Sequence, residues 1–292
     1  MKDIFLLFTL IIAFAACNST AHPFTQNDQE NFRYGWSDFE GCSLLDSGFC
    51  PMTLPVLHGD VESVRLVLPY YYGYLEFIFN TNGDVVERGY YFQGEAMQKW
   101  SFEYDIKNRL KSLEDCWCFA GGSPVYKTVF TYDSNGKLAK NICYNPDGTT
   151  SESAYVYDAK GNLIKCGSAT YEYDSHGRKI SAYGGEFTWK YDSRGNLVEE
   201  ICPDEYCGIN KYMYEYDSYG RRSKMYRYFK EDPSDYWDFV GTETYIYDNE
   251  GRLVESNSKR YKYDSHGNVV WYGENNFDQS DSDETYIITY RK

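Results

Sequence analysis

The sequence is poor in the residues that most enzymes use for catalysis. It has only four histidines among 292 residues. It contains no Gly-x-Ser-x-Gly nucleophile motif, no His-Glu-x-x-His zinc motif and no phosphate-binding loop. Because catalysis requires an activated nucleophile, an acid–base pair or a metal, the sequence predicts a protein that is not an enzyme and that uses no cofactor and no metal.

Positive charge and helical periodicity are also scarce. The chain has 29 Lys and Arg against 44 Asp and Glu, which gives a net charge of −15. An acidic surface repels phosphate backbones, so we expect no nucleic-acid partner. Apolar residues recur at every second position rather than at every third or fourth, which argues against amphipathic helices. Aliphatic residues are too few for a thick leucine core.

Aromatic residues, in contrast, make up 19% of the chain, with 32 tyrosines. Many of them stand in a recurring phrase, clearest at residues 155–163, which reads Tyr-x-Tyr-Asp-x-x-Gly-Asn-Leu. Repetition on this scale indicates a repeat architecture. The two rings point to one face of a strand, and the residue between them is usually polar. Each strand therefore has an aromatic face and a solvent-exposed polar face, as is common in an antiparallel sheet.

The second half of the phrase predicts a tight turn. The aspartate carboxylate can accept the N–H two residues on, and the glycine three residues later suits the left-handed residue that closes a hairpin. In one copy Asn108 takes the glycine slot, as expected at positive φ. The predicted turn aspartates are Asp105, Asp133, Asp158, Asp174, Asp192, Asp217, Asp248 and Asp264. The predicted turn glycines are Gly136, Gly161, Gly177, Gly195, Gly220, Gly251 and Gly267. Where Lys179 or Arg222 takes the leucine slot, we expect a shifted register in the return strand.

The phrase resembles the signature of the YD-repeat, or RHS-repeat, family, and the resemblance extends over residues 77–269. It implies a chain of repeated β-hairpins. About nine hairpins give nearly twenty strands, and a twisted sheet of that size curls. We therefore expect an all-β fold: an antiparallel meander of repeated β-hairpins, curled into a rolled sheet or partial shell with the tyrosines inside. Large members of the family enclose a toxin fragment, a role that the few copies here do not carry over.

The N-terminal residues predict export. Residues 1–16 read as a signal peptide, with an apolar run at residues 4–14 that is too short to span a membrane. The run ends in Phe-Ala-Ala before Cys17, which resembles a bacterial lipobox and predicts lipidation of Cys17. The alternative is an ordinary signal peptide with a chance cysteine. We expect a lipidated tether at residues 17–30, an irregular entry segment at residues 31–60, and a YD-repeat domain at residues 61–292 that begins with a strand at residues 61–68.

Eight further cysteines remain after Cys17, and an exported chain can oxidise them. Two thiols with one residue between them in a strand, as at positions 116 and 118, share a face but lie too far apart to form a disulfide with each other comfortably. The candidate pairs are Cys42 with Cys50, Cys202 with Cys207, and Cys116 or Cys118 with neighbours such as Cys143 or Cys166. Metal binding by these cysteines is the alternative, without histidines at ligand spacing.

Exposed aromatic residues are the remaining candidates for binding. Trp237 and Tyr236 lie in a long insertion between repeats, and Trp271 stands near a strand. The acidic loop at residues 278–284 could hold calcium, although it lacks the glycine spacing of an EF-hand loop.

The leading hypothesis is a non-enzymatic bacterial cell-envelope protein, anchored to the outer membrane by lipid, that binds a glycan or a surface or envelope protein. One alternative is a structural envelope scaffold or a shortened relative of RHS toxin-delivery shells. Another is a polysaccharide-acting enzyme that uses two acids not identifiable from the sequence.

Overall fold

The computed structural model describes residues 57–68, 73–118, 124–203, 208–256, 259–274 and 284–291. Apart from one 3-10 turn at Tyr183–Gly185, the regular structure of these residues is β-strand. The strands are β1 (Val61–Leu68), β2 (Gly73–Phe79), β3 (Val85–Phe92), β4 (Glu95–Tyr104), β5 (Leu110–Trp117), β6 (Val125–Tyr132), β7 (Leu138–Tyr144), β8 (Thr150–Tyr157), β9 (Leu163–Cys166), β10 (Ala169–Tyr173), β11 (Lys179–Ala182), β12 (Phe187–Tyr191), β13 (Leu197–Pro203), β14 (Ile209–Tyr216), β15 (Arg222–Lys230), β16 (Asp238–Tyr247), β17 (Leu253–Ser256), β18 (Lys259–Tyr263), β19 (Val269–Glu274) and β20 (Glu284–Tyr290). The predicted all-β antiparallel meander is confirmed, and its first strand has the predicted bounds.

The chain divides into two compact units. The first unit comprises Leu54–Ala154 and Ser258–Lys292, and the second has its described residues within Tyr155–Asn257. In the first unit, β1 pairs with both β2 and β20, so the last strand lies beside the first one. In the second unit each strand from β9 to β16 pairs antiparallel with the next along the chain.

The aromatic face of the phrase is the buried face. The first ring of the Tyr-x-Tyr pair is nearly inaccessible in six copies: Phe77, Phe130, Tyr155, Tyr171, Tyr214 and Tyr245. The first unit adds aliphatic residues from β1, of which Val61 and Val64 are fully buried. Since burial of a large ring contributes about 2–3 kcal/mol, the tyrosines supply the core that the few leucines cannot.

Each turn is closed by its aspartate. At the tip between β4 and β5, the N–H groups of Lys107 and Arg109 donate to Asp105 Oδ1 at 2.8 and 3.0 Å. The Arg109 guanidinium donates to the other carboxylate oxygen, with Nε 2.8 Å away, and this holds the pKa of Asp105 at about 2. Asn108 has a φ of 61°, as expected. The same backbone bonds to the carboxylate recur at Asp133, Asp158, Asp174, Asp192, Asp217, Asp248 and Asp264. The left-handed glycines of these turns are Gly136, Gly161, Gly177, Gly195, Gly220, Gly251 and Gly267.

Neighbouring hairpins are joined through the second tyrosine of the phrase. The Tyr132 hydroxyl donates to the carbonyl oxygen of Leu110 in the preceding hairpin, at 2.7 Å. The Arg109 guanidinium lies over the same ring, 4.2 Å from its centroid. One turn therefore positions an arginine for the next hairpin's tyrosine. Hydroxyl-to-carbonyl bonds of the same kind are made by Tyr104, Tyr173, Tyr191 and Tyr216.

The register shift expected at the two charged leucine slots is wrong. In these two copies the second tyrosine of the phrase is paired with the residue in the leucine slot, Tyr173 with Lys179 and Tyr216 with Arg222. In a copy that carries leucine, the second tyrosine is paired with that leucine in the same way. The turn hydrogen bonds fix this register, and they involve the aspartate and the backbone rather than the leucine slot.

The charged side chains at these slots are accommodated by aromatic rings. The Lys179 ammonium lies 5.2 Å from the centroid of the Tyr171 ring, and the Arg222 guanidinium lies 4.2 Å from that of Tyr214. A cation over a ring face is attracted by the ring quadrupole. The aromatic face therefore accepts a positive charge where a leucine was expected.

The disulfide predicted between β5 and Cys143 is not formed, and Cys116, Cys118 and Cys143 are thiols. Cys143 is paired with Thr128 of β6, which is in turn paired with Leu113 of β5. Two strand spacings amount to about 9.6 Å, which is beyond the reach of a disulfide. The predicted partners Cys42, Cys50 and Cys207 lie outside the described residues.

Candidate functional site

Strands β14, β15 and β16 of the second unit carry apolar and aromatic side chains on the face that the sequence predicts to be polar and solvent-exposed. Met213 is paired with Tyr226, and Tyr228 is paired with Phe239. The rings of Tyr228 and Phe239 contact each other edge to face, with centroids 5.6 Å apart. Since side chains alternate along a strand, the buried residues of the phrase, such as Tyr214, occupy the opposite face.

Several of these side chains are exposed to a degree unusual for their type. Tyr236 is 93% exposed, Phe239 60%, Val240 53% and Met213 37%. We name this surface the β14–β16 patch, which consists of Met213, Tyr226, Tyr228, Tyr236, Trp237, Phe239 and Val240. Contiguous exposed apolar surface marks sites of interaction in soluble domains.

A self-capped turn between β15 and β16 presents the most exposed ring. The Asp235 N–H donates to the carbonyl oxygen of Asp232 at 2.9 Å, and the Asp232 N–H donates back to Asp235 Oδ2 at 3.0 Å. Ser234 donates to the Asp232 carboxylate through its hydroxyl and its N–H, and these bonds lower the pKa of Asp232. The turn thus holds its own polar groups and leaves Tyr236, the next residue, directed to solvent.

The sequence ranks Trp237 as the best exposed aromatic, whereas the structure gives that position to Tyr236. Trp237 is half-buried. The ammonium groups of Lys211 and Lys230 lie 4.6 and 4.8 Å from the centroid of its ring, and Lys230 also donates to the carbonyl oxygen of Pro233 at 2.6 Å. Trp237 therefore anchors the turn to the sheet through cation–π contacts, and its neighbours present the contact surface.

Trp271, the third predicted binding residue, lies in the first unit. It stands on β19 opposite Lys262, whose ammonium is 4.1 Å from the centroid of its ring. The structure therefore gives this ring a neighbouring cation and does not make it a member of the β14–β16 patch.

Sequence reasoning missed Met213, Tyr228, Phe239 and Val240. They occupy the face that was expected to be polar, because in most copies of the phrase the residue between the rings is polar. The signal was present in β15, where Tyr226 and Tyr228 follow the repeat phrase with a period of two on the outer face.

Other predicted sites fall outside the described residues: the lipidation site Cys17, and residues 278–283 of the acidic loop. In the part of the chain that the structure describes, no three His, Cys, Asp or Glu side chains are grouped to hold a metal ion. Within the same ranges, no helix has the length and apolar character needed to cross a membrane.

Comparison with known proteins assigns the repeats to a family. A sequence profile described as the teneurin YD-shell matches residues 72–238, which is more than half of the chain. The chain belongs to the teneurin YD-shell family. The predicted membership of the YD-repeat family is thereby confirmed, and the protein is a YD-shell-type repeat protein.

Two further comparisons add little to this assignment of the YD-shell chain. No curated protein matches the sequence. The crystal structure of a porin-like protein from Bacteroides uniformis ATCC 8492 is 10% identical, with a TM-score of 0.28 over 64% of this chain and 95% of that chain. A likeness at this level carries no argument about function.

Proposed function

We propose that this YD-shell protein is a non-enzymatic, lipid-anchored protein of the bacterial cell envelope that binds a protein partner through the β14–β16 patch. The observation that carries the proposal is the exposure of Tyr236, two residues before β16, and of Phe239 and Val240 at the start of that strand. Trp237 anchors the turn to the sheet, whereas Tyr236, Phe239 and Val240 present exposed surface.

The composition of the patch favours a protein over a glycan. Phe239, Val240 and Met213 have no hydroxyl or amide with which to satisfy the hydroxyl groups of a sugar. Protein interfaces are enriched in Tyr, Trp, Phe and Met at their centres, and methionine adapts to irregular partner surfaces. The ammonium groups of Lys211 and Lys230 border the patch and would lie at the polar rim of the interface.

Replacing both Tyr236 and Phe239 by alanine is expected to weaken binding of the partner at least tenfold, since exposed aromatic anchors dominate interface energies. The partner is first cross-linked to a photoreactive residue at position 240 in intact envelopes and identified, and it is then titrated in purified form. Tyr219→Ala is the matched control, because Tyr219 is 83% exposed in the same unit but lies on a turn tip outside the patch.

Four outcomes would contradict the proposal. The double variant could bind the purified partner as tightly as the wild type does, or Tyr219→Ala could lose binding equally. Retention of a glycan by the wild type, with loss in the double variant and without any cross-linked protein, would replace the protein partner by a glycan. Hydrolytic activity of the purified protein would overturn its assignment as a binding protein.

The proposed location in the cell envelope rests on Cys17 and on the small residues before it in the sequence. We expect the wild type to partition into the detergent phase and the membrane fraction, and Cys17→Ala to be released in soluble form, because a lipid chain supplies about 0.8 kcal/mol per buried methylene. Membrane association of Cys17→Ala would contradict lipid anchoring. Protease treatment of intact cells, with a periplasmic protein as control, then decides on which side of the outer membrane the domain lies.

A further inference from the structure

Strand β16 is paired on both sides along only part of its length. On one side its residues from Asp238 to Thr244 pair with β15 across a single bulge. On the other side the four-residue strand β17 pairs only with Tyr245, Ile246 and Tyr247. Among the described residues, no strand pairs with residues 238–244 on the side that faces away from β15. We name this stretch, residues 238–244, the β16 edge.

The turn after β16 shows which backbone groups point to the open side of the edge. The Asp248 N–H donates to the carbonyl oxygen of Arg252 at 2.9 Å, so the backbone groups of Asp248 face β17. Backbone direction alternates along a strand, and the bulge at Val240 comes before the residues concerned. Thr242 and Thr244 therefore direct their N–H and C=O groups away from β15, to the open side.

The β16 edge has little that protects it from pairing with another chain. Natural edge strands are often blocked by lysine or proline, and residues 238–244 contain neither. Thr242 and Thr244 are exposed, and their β-branched side chains are typical of strands. The bulge at Val240 interrupts only the beginning of the edge. Residues 241–244 therefore form a regular segment with which a further strand can pair.

The charge of the edge discriminates among the chains that could pair with it. The edge carries two acids, Asp238 and Glu243, and no base. Lys224 and Arg227 stand one strand behind it, on β15, and Lys224 already forms an ion pair with Glu215 at 3.7 Å. A second copy of the edge would bring like charges together, whereas a chain with lysine or arginine would be attracted.

We propose that an extended, basic segment of the partner protein adds to the sheet as a strand beside β16 and pairs with the backbone of Thr242 and Thr244. This inference rests on the proposed function, because it specifies how the partner is held. In strand addition, main-chain hydrogen bonds provide affinity and alternate side chains provide specificity. Thr242 is paired with Tyr226 of the β14–β16 patch. Every second side chain of the added strand would therefore lie on the same face as the patch.

Titration of the purified protein with a ten-residue peptide of alternating lysine and valine tests the edge. We expect saturable binding of this peptide. A peptide of alternating glutamate and valine should bind at least tenfold more weakly, because its charges are repelled by the edge. A peptide of alternating lysine and proline should also bind at least tenfold more weakly, since it keeps the charge but cannot pair as a strand.

Thr242→Pro removes one N–H from the open side and should weaken binding of the lysine–valine peptide at least tenfold. Proline is tolerated on an edge strand where the N–H faces solvent. Thr242→Val is the matched control, because it keeps the N–H and the β-branched shape, and it should change binding less than twofold. A loss of binding counts only when the variant melts within a few degrees of the wild type. If Thr242→Pro does not fold, Thr242→Lys replaces it, since a lysine at the edge repels the basic peptide.

The proposal is overturned if the wild type does not bind the lysine–valine peptide or if Thr242→Pro binds it as the wild type does. Equal binding of the lysine–proline peptide would show that charge alone attracts the peptide, and equal binding of the glutamate–valine peptide would overturn the preference for a basic segment. A wild-type dimer in sedimentation that Thr242→Pro dissociates would make a second copy of the chain the occupant.

Binding of the cross-linked partner separates this inference from the proposed function. Loss of partner binding in the Tyr236 and Phe239 double variant, with full binding by Thr242→Pro, would reject strand addition and leave the β14–β16 patch as the contact. Failure to cross-link any protein would reject the proposed function, and the peptide titration would still decide whether the edge accepts a strand.

Discussion

Replacing Gly208 by alanine is expected to destabilise the second unit by about 3 kcal/mol. Gly208 has a φ of +102°, and a Cβ atom there would lie 2.4 Å from the carbonyl oxygen of Lys230 and 2.7 Å from the Phe229 ring. The carbonyl cannot move aside cheaply, because Lys230 is paired with Ile209 in the sheet. Equilibrium unfolding in urea, with the midpoint and the slope both fitted, measures the loss.

Gly241→Ala provides the control for this substitution. Gly241 lies in β16 of the same unit, and an added Cβ would meet no described atom within 4 Å. Its replacement should therefore change the free energy of unfolding by less than about 0.5 kcal/mol. If the two substitutions lower the free energy of unfolding equally, the close approach of Lys230 and Phe229 is not the reason why position 208 requires glycine.

The second large effect is expected at Asp115, in the core of the first unit. Asp115 is 3% exposed, and its Oδ1 accepts a hydrogen bond from Gln98 Nε2 at 2.8 Å. Burial raises the pKa of Asp115 from 3.8 to about 6, and neither the Gln98 bond nor the charge of Arg88 offsets it. Between these two pKa values the folded state retains a proton that the unfolded chain has lost. The free energy of unfolding therefore falls as the pH rises from about 4 to 6.

Asp115→Asn should stabilise the protein at pH 7.5 by about 2–3 kcal/mol, which is the free-energy equivalent of that pKa change. Asparagine keeps the acceptor for Gln98 and removes the buried charge. At pH 4 the variant and the wild type should be nearly equal in stability. Urea unfolding at several pH values gives the comparison, with the exposed Glu95→Gln as the control in the same unit. An Asp115→Asn variant that is less stable than the wild type at pH 7.5 would show that the ionised carboxylate is net stabilising.

The hairpins could be predicted from the sequence because their determinants are local. In the turn at Asp105 the carboxylate bonds reach no farther than Arg109, four residues on. The period of two in Tyr-x-Tyr likewise depends only on the alternation of side chains along one strand. A repeated local signal of this kind gave the fold class and the turn positions, and it identified the family.

The contacts between hairpins depended on the tertiary structure. The sequence shows an arginine, asparagine or lysine after the glycine slot of each turn, but only strand pairing places Arg109 over the ring of Tyr132, 23 positions away. The turn hydrogen bonds kept the register at Lys179 and Arg222, where leucine was expected, and the first ring of the same phrase accepts the charge of each side chain.

The amino-acid sequence by itself determined the β-hairpin, its turn and its buried aromatic face, since these arise from residues within a few positions of one another. Only the tertiary structure decided which side chains remain exposed and which charges lack a partner. Tyr236 is exposed because the turn before it caps itself, whereas Trp237 is covered by lysines from β14 and β15. Arg227 meets Asn210 rather than a carboxylate because strand register, and not sequence distance, sets which side chains face each other.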